Sequence, residues 1–359
     1  MKILELFGGI GACTKSLKNL GVEVEIVDYV EIDKFAVKSY NAINGTNFEP
    51  QDIREWDKDI KVDLIMHGSP CQDFSLAGKQ AGGDIGSGTR SSLMYETLRI
   101  VSKLRPKYVL WENVKNLLST KHKHNFDKYL EEMERLGYKN YYQVLNSKHY
   151  GIPQSRERIF TVSVLDSNDE FVFPKGEMLK GTLQDFLEDK VDDKYYLSEK
   201  MIKYISSNNE KWTGNNKKSL VNKIIASAIN TGEGQRRCDA SNYISDELDI
   251  NCDLKCIRLG GLFDTDTSKH QAGSIYDTNG LSPTLDTMQG GYRQPCIIDK
   301  EVKIRKLTPK ECWRLMGFDD EDFDKAQKAG VSDTQLYKQA GNSIVVNVLE
   351  KILDNLIAR

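Results

Sequence analysis

The sequence predicts an α/β fold in which a doubly wound sheet carries helices on both faces. In the first part of the chain, apolar segments of strand length alternate with helical segments. The first apolar segment ends in the turn Phe7-Gly8-Gly9-Ile10-Gly11, and glycines there let the backbone approach a bound group closely at a helix N-terminus. Later apolar segments end in polar or reactive side chains, as expected where the strands of such a sheet end at one crevice.

The expected elements follow one another from the amino terminus. Strands are expected over residues 2–7, 22–30, 62–67, 108–112, 141–145 and 158–164. Helices are expected over residues 13–19, 34–44, 93–104 and 126–136, and near the carboxyl end over residues 308–316 and 344–357. Thr308 followed by Glu311 has the spacing of a capping box, which supports the start of the helix at residue 308.

A separate and less regular domain is expected in the middle of the chain. Residues 174–299 are rich in Asn, Ser, Lys, Asp and Gly and show no clear alternation. Basic residues cluster there among few acids: Lys200, Lys203, Lys211, Lys217, Lys218, Lys223, Arg236 and Arg237. We therefore expect one domain over residues 1–173, completed by residues 300–359, and a smaller irregular domain over residues 174–299.

Composition excludes several classes of protein. The chain has 359 residues, a formal net charge of −3 and seven cysteines. This charge argues against a protein that coats nucleic acid by charge alone, and the scattered, odd cysteines argue against a disulfide framework. Apolar runs of membrane-spanning length are absent, and the acid inside the first apolar run is unlike a secretory signal. We expect a cytoplasmic protein without membrane association.

The glycine turn is accompanied by an acidic residue, Glu31, at the end of the second expected strand. A carboxylate in this position can accept hydrogen bonds from ribose hydroxyls. Many nucleotide and methyl-donor enzymes share this pair of features. A tight strand-to-helix turn without a ligand remains the alternative explanation.

Two reactive side chains end neighbouring strands. Cys71 lies in Gly68-Ser69-Pro70-Cys71-Gln72, before a glycine-rich loop, where it is well placed to act as a nucleophile. A lone cysteine is more often a small buried apolar residue. Glu112, in Trp111-Glu112-Asn113-Val114, ends the fourth strand and is expected at the same crevice, although a capping or salt-bridging carboxylate would fit the same position.

Two further motifs lie later in the chain. In Gln154-Ser155-Arg156-Glu157-Arg158, strand alternation places Gln154, Arg156 and Arg158 on one face. A solvated edge with Arg–Glu pairing is the alternative. Gly341-Asn342-Ser343 precedes the last expected helix, where an ordinary helix N-cap is the alternative.

In this order and spacing, the five motifs resemble those of the C5-cytosine DNA methyltransferase family, in particular bacterial and phage modification methyltransferases. A sixth match runs over residues 305–318. The resemblance covers essentially the whole chain outside the middle domain. It implies a Rossmann-like S-adenosylmethionine-dependent methyltransferase domain with a target-recognition domain. It also implies site-specific DNA (cytosine-5-)-methyltransferase activity with a role in restriction–modification or in phage and host DNA modification.

The resemblance implies a catalytic set of Cys71, Glu112, Arg156 and Arg158. Cys71 would add to C6 of a flipped cytosine, so that C5 can take a methyl group before the cysteine is eliminated. Glu112 would contact N3 and the exocyclic amine, and Arg158 would hold O2 with Arg156 beside it. The chemistry agrees, because cytosine is a poor electrophile unless N3 is protonated or strongly hydrogen-bonded, and a thiolate is a good reversible nucleophile.

The resemblance also implies a binding site for S-adenosylmethionine, with S-adenosylhomocysteine as the product. The matching residues are Phe7, Gly9, Gly11, Glu31, Ile32, Asp52, Ile53, Pro70, Asn342 and Ser343. Within this set, Asp52-Ile53 matches the contact to the adenine ring, and Asn342 and Ser343 would close the site.

Double-stranded DNA is the partner that the resemblance implies, with the target base flipped out of the duplex. The middle domain would read base edges in the major groove. The candidate DNA-binding residues are Gln72, Ser75, Lys79, Arg90, Gln271, Thr284, Leu285, Gly290 and Gly291. We expect a monomer, because the duplex must be wrapped from both sides. A companion restriction endonuclease that forms no stable complex fits this class.

Three other functions share part of this sequence pattern. A cytosine-5 methyltransferase acting on tRNA shares the catalytic motifs, but usually has a shorter recognition region and a Cys-Phe-Thr that this sequence lacks. The intact Cys71, Glu112 and Arg158 argue against a catalytically inactive relative. A nicotinamide-dependent oxidoreductase on the same sheet would leave the motifs around Cys71 and Arg158 unexplained.

No metal site is expected. Cys252-x-x-x-Cys256, with Cys238 and His270 in the same region, lacks the second close pair that a zinc site usually has.

Overall fold

The computed structural model describes residues 1–69, 93–166, 170–198, 254–263, 271–289, 293–299 and 303–358. Its larger sheet has the strand order β2-β1-β3-β4-β6-β5. The strands are β1 (Lys2–Leu6), β2 (Glu25–Val30), β3 (Leu64–His67), β4 (Tyr108–Val114), β5 (Tyr138–Asn146) and β6 (Glu157–Leu165). β1 is parallel to β2 and β3, and β3 is parallel to β4, whereas β6 runs antiparallel to both β4 and β5.

Helices connect and cover the strands of this sheet. Numbered along the described residues, they are α1 (Ala12–Asn19), α2 (Lys34–Asn44), α3 (Met94–Leu104), α4 (Lys123–Arg135), α5 (Pro309–Arg314), α6 (Asp320–Lys328), α7 (Asp333–Asn342) and α8 (Val346–Ile357). The predicted capping box is present, because Thr308 Oγ1 accepts from the Glu311 amide at 3.1 Å and Glu311 accepts from the Thr308 amide at 2.8 Å.

The sheet is doubly wound, with a hydrophobic core on each face. On one face, Ile3 of β1 shares a core with Leu17 of α1 and with α8. On the other face, Ile65 of β3 shares a core with Leu98 of α3 and with α4. The predicted fold class is therefore confirmed, and α8 packs beside α1 in the first of these cores.

The strand order reverses direction at β1, since β2 lies on one side of this strand and β3 on the other. In open α/β sheets, ligands bind in the crevice outside the carboxyl ends of the strands at such a switch point. The turn at residues 7–11 and the end of β3 at Gly68-Ser69 both lie there. The fold thus positions the motifs that follow β1 and β3 at one edge of the sheet.

A second, smaller sheet has three of its strands in the region expected to be irregular, and its last strand lies after residue 299, in the part assigned to the other domain. Its strands are β7 (Arg258–Gly261), β8 (Ser274–Tyr276), β9 (Cys296–Ile298) and β10 (Ile304–Lys306), in the order β10-β9-β8-β7. Strands of three or four residues are too short to show alternation, which explains why the sequence pattern did not indicate them. Leu285 and Ile297 pack in the larger core. The domain division at residue 299 stays a prediction.

Two helices near the carboxyl end, α6 and α7, were also not predicted. As a result, Gly341 and Asn342 end the helix α7 rather than simply preceding the last helix. Within the part of the chain that the structure describes, no helix is both long and apolar enough to cross a membrane.

Candidate active site

The glycine turn after β1 has an unusual backbone. Phe7 (φ 53°), Gly9 (φ 54°) and Gly11 (φ 86°) all lie in the left-handed region. Glycine adopts this region freely, whereas Phe7 requires support from its surroundings. The turn directs the chain into α1 at the carboxyl edge of the sheet, which is the arrangement predicted for a cofactor-binding turn.

Glu31 is tied directly to this turn. Its carboxylate accepts from the Gly9 amide at 3.2 Å and from the Asp33 amide at 2.9 Å, and burial raises the pKa of the Glu31 carboxyl. The neighbouring Ile32 is an apolar side chain that is 65% exposed. A carboxylate beside an exposed apolar surface can hold a ribose and stack an adenine ring, because one group accepts hydroxyl protons and the other covers a flat face.

The segment around Asp52 lies beside Glu31, because the Gln51 amide donates to the Glu31 carbonyl at 2.8 Å. Asp52 pairs with Arg54, which lowers the pKa of the Asp52 carboxyl. Ile53 is buried in the core on the α3 and α4 face. Asp52 and the main chain are therefore the accessible groups of the predicted adenine contact.

A pocket opens at the carboxyl ends of β1, β3 and β4 and joins predicted cofactor and catalytic residues. It is lined by Glu5, Leu6, Phe7, Gly8, Gly9, Ile10, Ala12, Cys13, Met66, Gly68, Glu112, Asn342, Ser343 and Ile344. The predicted Phe7, Gly9, Asn342 and Ser343 thus share one cavity with the predicted catalytic Glu112. Glu31 does not line this cavity, but it accepts a hydrogen bond from Gly9, which does.

Glu112 and Arg158 form an ion pair at the pocket. Arg158 Nε lies 3.1 Å from Glu112 Oε1. Because β6 is antiparallel to β4, the start of β6 lies at the end of β4, with Val114 opposite Arg158 and Glu112 opposite Phe160. Burial raises the pKa of the Glu112 carboxyl, and the positive charges of Arg158 and Arg156 act against that rise. The site therefore holds a carboxyl group that can exchange a proton, beside a fixed cation.

Arg156 has different contacts from Arg158. Its buried guanidinium donates to the carbonyls of Leu285 at 3.0 Å, Gly341 at 3.1 Å and Ser343 at 2.8 Å. These carbonyls belong to two segments distant in sequence. The structure thus brings Arg156 close enough to influence Glu112 electrostatically, while its hydrogen bonds join the chain before β6 to the segment that closes the pocket.

Gln154, the first polar residue of the same motif, is fully buried. Its side-chain amide donates to the Leu315 carbonyl at 2.9 Å and accepts from the Leu285 amide at 3.3 Å. Thr284 also bonds this loop, since its hydroxyl donates to the Ser155 carbonyl at 2.5 Å. Leu285 itself is buried in the larger core. Thr284 and Leu285, which were both predicted to bind DNA, are therefore tied to the loop before β6. Thr284 is exposed to solvent, whereas Leu285 is enclosed in the core.

The end of β3 is held against β4. Trp111 Nε1 donates to Ser69 Oγ at 3.1 Å, and Asn113 Nδ2 donates to the Ser69 carbonyl at 3.4 Å. Ser69 is the last described residue before Pro70 and Cys71. The chain is thus anchored at the point from which it continues to the predicted nucleophile.

Two buried polar residues near the pocket, Glu5 and His67, belong to none of the predicted site motifs. Glu5 on β1 accepts from the hydroxyls of Thr14 and Tyr40, and burial raises its pKa to about 7. His67 on β3 bonds the Tyr129 hydroxyl at 3.0 Å, and burial lowers its pKa to about 3. The acid inside the first apolar strand was a visible signal for Glu5. His67 resembled an ordinary strand residue.

Of the remaining predicted residues, one is described by the structure and the others are not. Gln271 is described, and it is exposed at the turn before β8. Those outside the described residues are Pro70, Cys71, Gln72, Ser75, Lys79, Arg90, Gly290 and Gly291, together with the basic cluster over residues 200–237 and with Cys238, Cys252 and His270. Across the described ranges, there is no group of three or more His, Cys, Asp or Glu side chains that could hold a metal ion.

Known proteins resemble this chain over nearly its whole length. Residues 1–358 match the family described as C-5 cytosine-specific DNA methylase. The chain is 35% identical to the type II methyltransferase M2.ScrFI of Lactococcus lactis subsp. cremoris, over 95% of this chain and 81% of that protein. It is 30% identical to the orphan methyltransferase M.Rho11sI of Bacillus phage rho11s, over 99% and 98% of the two chains.

Among solved structures, the Dnmt2 methyltransferase of S. pombe is similar, with a TM-score of 0.65 at 20% identity over 100% of this chain and 98% of that one. That likeness shows the fold, which is the α/β fold of the methyltransferases. The family match over nearly the whole chain shows the family as well as the fold. This protein belongs to the C-5 cytosine-specific DNA methylase family.

Proposed function

We propose that this protein is a site-specific DNA (cytosine-5-)-methyltransferase that uses S-adenosylmethionine and has Cys71 as its nucleophile. The observation that carries the proposal is the Glu112–Arg158 pair, which lies at the pocket that the glycine turn also lines. A carboxyl group and a guanidinium side by side can bind two adjacent polar atoms of a base. Family membership supplies the substrate class.

The described residues fit the cofactor. Glu31 offers carboxylate oxygens to ribose hydroxyls, and exposed Ile32 offers an apolar face to adenine. Asn342 and Ser343 line the same pocket as the glycine turn. When bound, S-adenosylmethionine supplies the methyl group that C5 of the base accepts.

In the proposed mechanism, the Cys71 thiolate forms a bond to C6 of the cytosine. Negative charge then develops over C5, N3 and O2 of the ring. Protonated Glu112 donates a hydrogen bond or its proton to N3, and Arg158 stabilises O2. After C5 has been methylated, loss of the C5 proton returns the electron pair to the ring, and the bond between sulfur and C6 breaks.

The environment of Glu112 suits this role. Burial favours the neutral carboxyl, which is the form that can donate to N3, whereas Arg158 favours the carboxylate. Because burial raises the pKa of this carboxyl, its neutral form is easier to reach than that of a surface glutamate, which favours donation to N3. A surface carboxylate without this burial would stay ionised at neutral pH and could not donate.

The proposed partner is double-stranded DNA with the target cytosine flipped into the pocket, since a base inside a duplex cannot be reached. We further propose that residues 174–299 contain the recognition domain, that the enzyme acts as a cytoplasmic monomer, and that a companion endonuclease would form no stable complex with it. Relatives named as type II and orphan phage methyltransferases support the modification role.

The test is transfer of labelled methyl from S-adenosylmethionine to mixed double-stranded DNA, with tRNA in parallel, followed by nucleoside analysis. We expect 5-methylcytosine in DNA. Cys71→Ser should abolish transfer and leave cofactor binding largely intact, whereas the control Cys256→Ser should keep both. Label in tRNA alone would move the substrate to RNA. Turnover by Cys71→Ser would contradict the assigned nucleophile.

A further inference from the structure

Two buried tyrosines stack beneath the glycine turn. The ring centroids of Tyr29 on β2 and Tyr40 on α2 are 3.8 Å apart with an interplanar angle of 24°, and both residues are 0% exposed. None of the sequence motifs includes either residue. Their position raises the question of what they contribute to the turn.

Both rings contact glycines of the turn directly. A Cβ added at Gly8 would lie 2.7 Å from the Tyr29 ring, and one added at Gly11 would lie 2.7 Å from the Tyr40 ring. Real Cβ atoms do not approach so closely, so the backbone rests on the aromatic pair. The rings therefore set how far the turn lies from β2 and α2.

Hydrogen bonds fix the orientation of the Gly9 residue from two sides. The Tyr29 hydroxyl donates to the Gly9 carbonyl at 2.6 Å, and the Gly9 amide donates to Glu31 at 3.2 Å. The second of these bonds belongs to the carboxylate predicted to hold the ribose. The carbonyl bond thus restrains the same residue that connects the turn to Glu31.

Tyr40 ties the turn to the strand before it. Its hydroxyl donates to Glu5 Oε1 at 3.0 Å and lies 3.1 Å from Thr14 Oγ1, which also bonds Glu5. The strand β1, the helix α1 and the helix α2 are joined at this point. The two tyrosines consequently hold both ends of the turn.

We propose that Tyr29 and Tyr40 are positioning residues that keep the glycine turn in the conformation that binds S-adenosylmethionine, with the Tyr29 hydroxyl holding Gly9. This inference rests on the proposed function of the site. The turn needs such support because Phe7 has a left-handed backbone, which a residue other than glycine keeps only when its surroundings enforce it.

Removal of the Tyr29 hydroxyl should weaken cofactor binding without removing the site. In Tyr29→Phe the Gly9 carbonyl loses its donor, and the turn samples other conformations. The apparent Kd rises in proportion to the lost fraction of competent protein. We expect a Kd for S-adenosylmethionine about fivefold to tenfold higher, a higher KM for the cofactor and little change in kcat at saturation. Tyr40→Phe should have a smaller effect in the same direction.

Tyr138 provides a matched control. Its buried hydroxyl also donates to a main-chain carbonyl, that of Pro106 at 2.7 Å, and it lies on β5 at the opposite edge of the sheet from β2. Tyr138→Phe removes the same kind of bond. It should lower the thermal stability comparably and leave the Kd for S-adenosylmethionine within about twofold of wild type.

The experiment measures the Kd by titration calorimetry with S-adenosylmethionine, the KM and kcat of methyl transfer, and hydrogen exchange of the Gly9 to Gly11 amides without cofactor. We expect the largest loss of binding and the fastest exchange in Tyr29→Phe, a smaller change in Tyr40→Phe, and wild-type binding and exchange in Tyr138→Phe. A wild-type Kd and wild-type exchange in Tyr29→Phe, or an equal loss of binding in Tyr138→Phe, would overturn the inference alone. A wild-type protein that binds no S-adenosylmethionine would overturn the proposed function as well.

Discussion

At Glu5, an acid is buried inside the first strand of the sheet. Its carboxyl accepts from Thr14 and Tyr40, yet burial outweighs these bonds and raises the pKa to about 7. The ordinary pKa of a glutamate in an unfolded chain is about 4.5. Folding therefore takes up a proton in the range between the two values, and the protonated acid is the form that the folded protein favours.

This raised pKa predicts how stability depends on pH. The stabilisation linked to protonated Glu5 is fully present below pH 4.5 and is lost as the pH rises through 7. Glu5→Gln imitates the neutral acid and escapes this loss. Relative to wild type, the free energy of unfolding of Glu5→Gln should improve by about 2 to 3 kcal/mol between pH 5 and pH 8.

Urea denaturation of both proteins at the two pH values measures this difference. Glu49→Gln, at an exposed position, is the control for effects of the substitution itself. A difference between wild type and Glu5→Gln that stays constant with pH would show that Glu5 does not change its protonation in this range.

At the scale of elements, Arg156 joins segments that the chain places far apart. Its guanidinium donates to the carbonyls of Leu285, Gly341 and Ser343, so the start of β6 is fixed to the end of α7. Arg158, two residues later, pairs instead with Glu112. The hydrogen bonds of the two arginines therefore differ: those of Arg156 hold the segments of the pocket together, whereas Arg158 pairs directly with Glu112, and both charges act on the Glu112 carboxyl.

This arrangement predicts a large effect of a substitution that keeps the charge. A lysine cannot reproduce the planar, forked donors of arginine. Arg156→Lys should lower the free energy of unfolding by on the order of 2 to 4 kcal/mol and raise the Kd for S-adenosylmethionine, because the segment at Ser343 moves. Denaturation and calorimetric titration check both effects. The control Arg135→Lys, at an exposed surface pair, should change neither; equal behaviour of the two variants would refute the role of Arg156.

At the scale of the whole molecule, the pocket and the region proposed to read DNA are distinct parts of the chain. Glu112, Glu31 and the glycine turn all lie before residue 174. By contrast, four buried residues of the described part of 174–299 pack in the core of the larger sheet, namely Leu183, Leu285, Met288 and Ile297. An exchange of the recognition region must therefore keep these four residues if the catalytic part is to stay folded.

Such an exchange predicts a change of target without a change of chemistry. Replacement of the recognition region by that of M2.ScrFI, with these four core residues retained, should transfer the donor's target sequence. The Kd for S-adenosylmethionine should stay within about twofold, because the cofactor contacts remain. Mapping of 5-methylcytosine in a mixed DNA substrate measures the outcome. An unchanged target would show that recognition resides elsewhere in the chain.

Local sequence patterns determined much of this protein. Alternating strands and helices, the glycine turn, and Glu31 and Glu112 at strand ends were readable because each depends on residues close in sequence. The capping box at Thr308 was readable for the same reason. Short strands such as β7 to β10 were not, because three or four residues show too little alternation. The polar helices α6 and α7 were not, because they contain few apolar residues from which a helical pattern can be recognised.

The tertiary structure alone decided how these motifs meet. A strand's pattern does not encode its direction, so only the antiparallel pairing of β6 with β4 brings Arg158 to Glu112. Likewise, only the folded chain places the Tyr29 and Tyr40 rings under the glycine turn and Arg156 on the carbonyl of Ser343. These contacts join residues distant in sequence, and their energies depend on the path of the whole chain rather than on any local pattern.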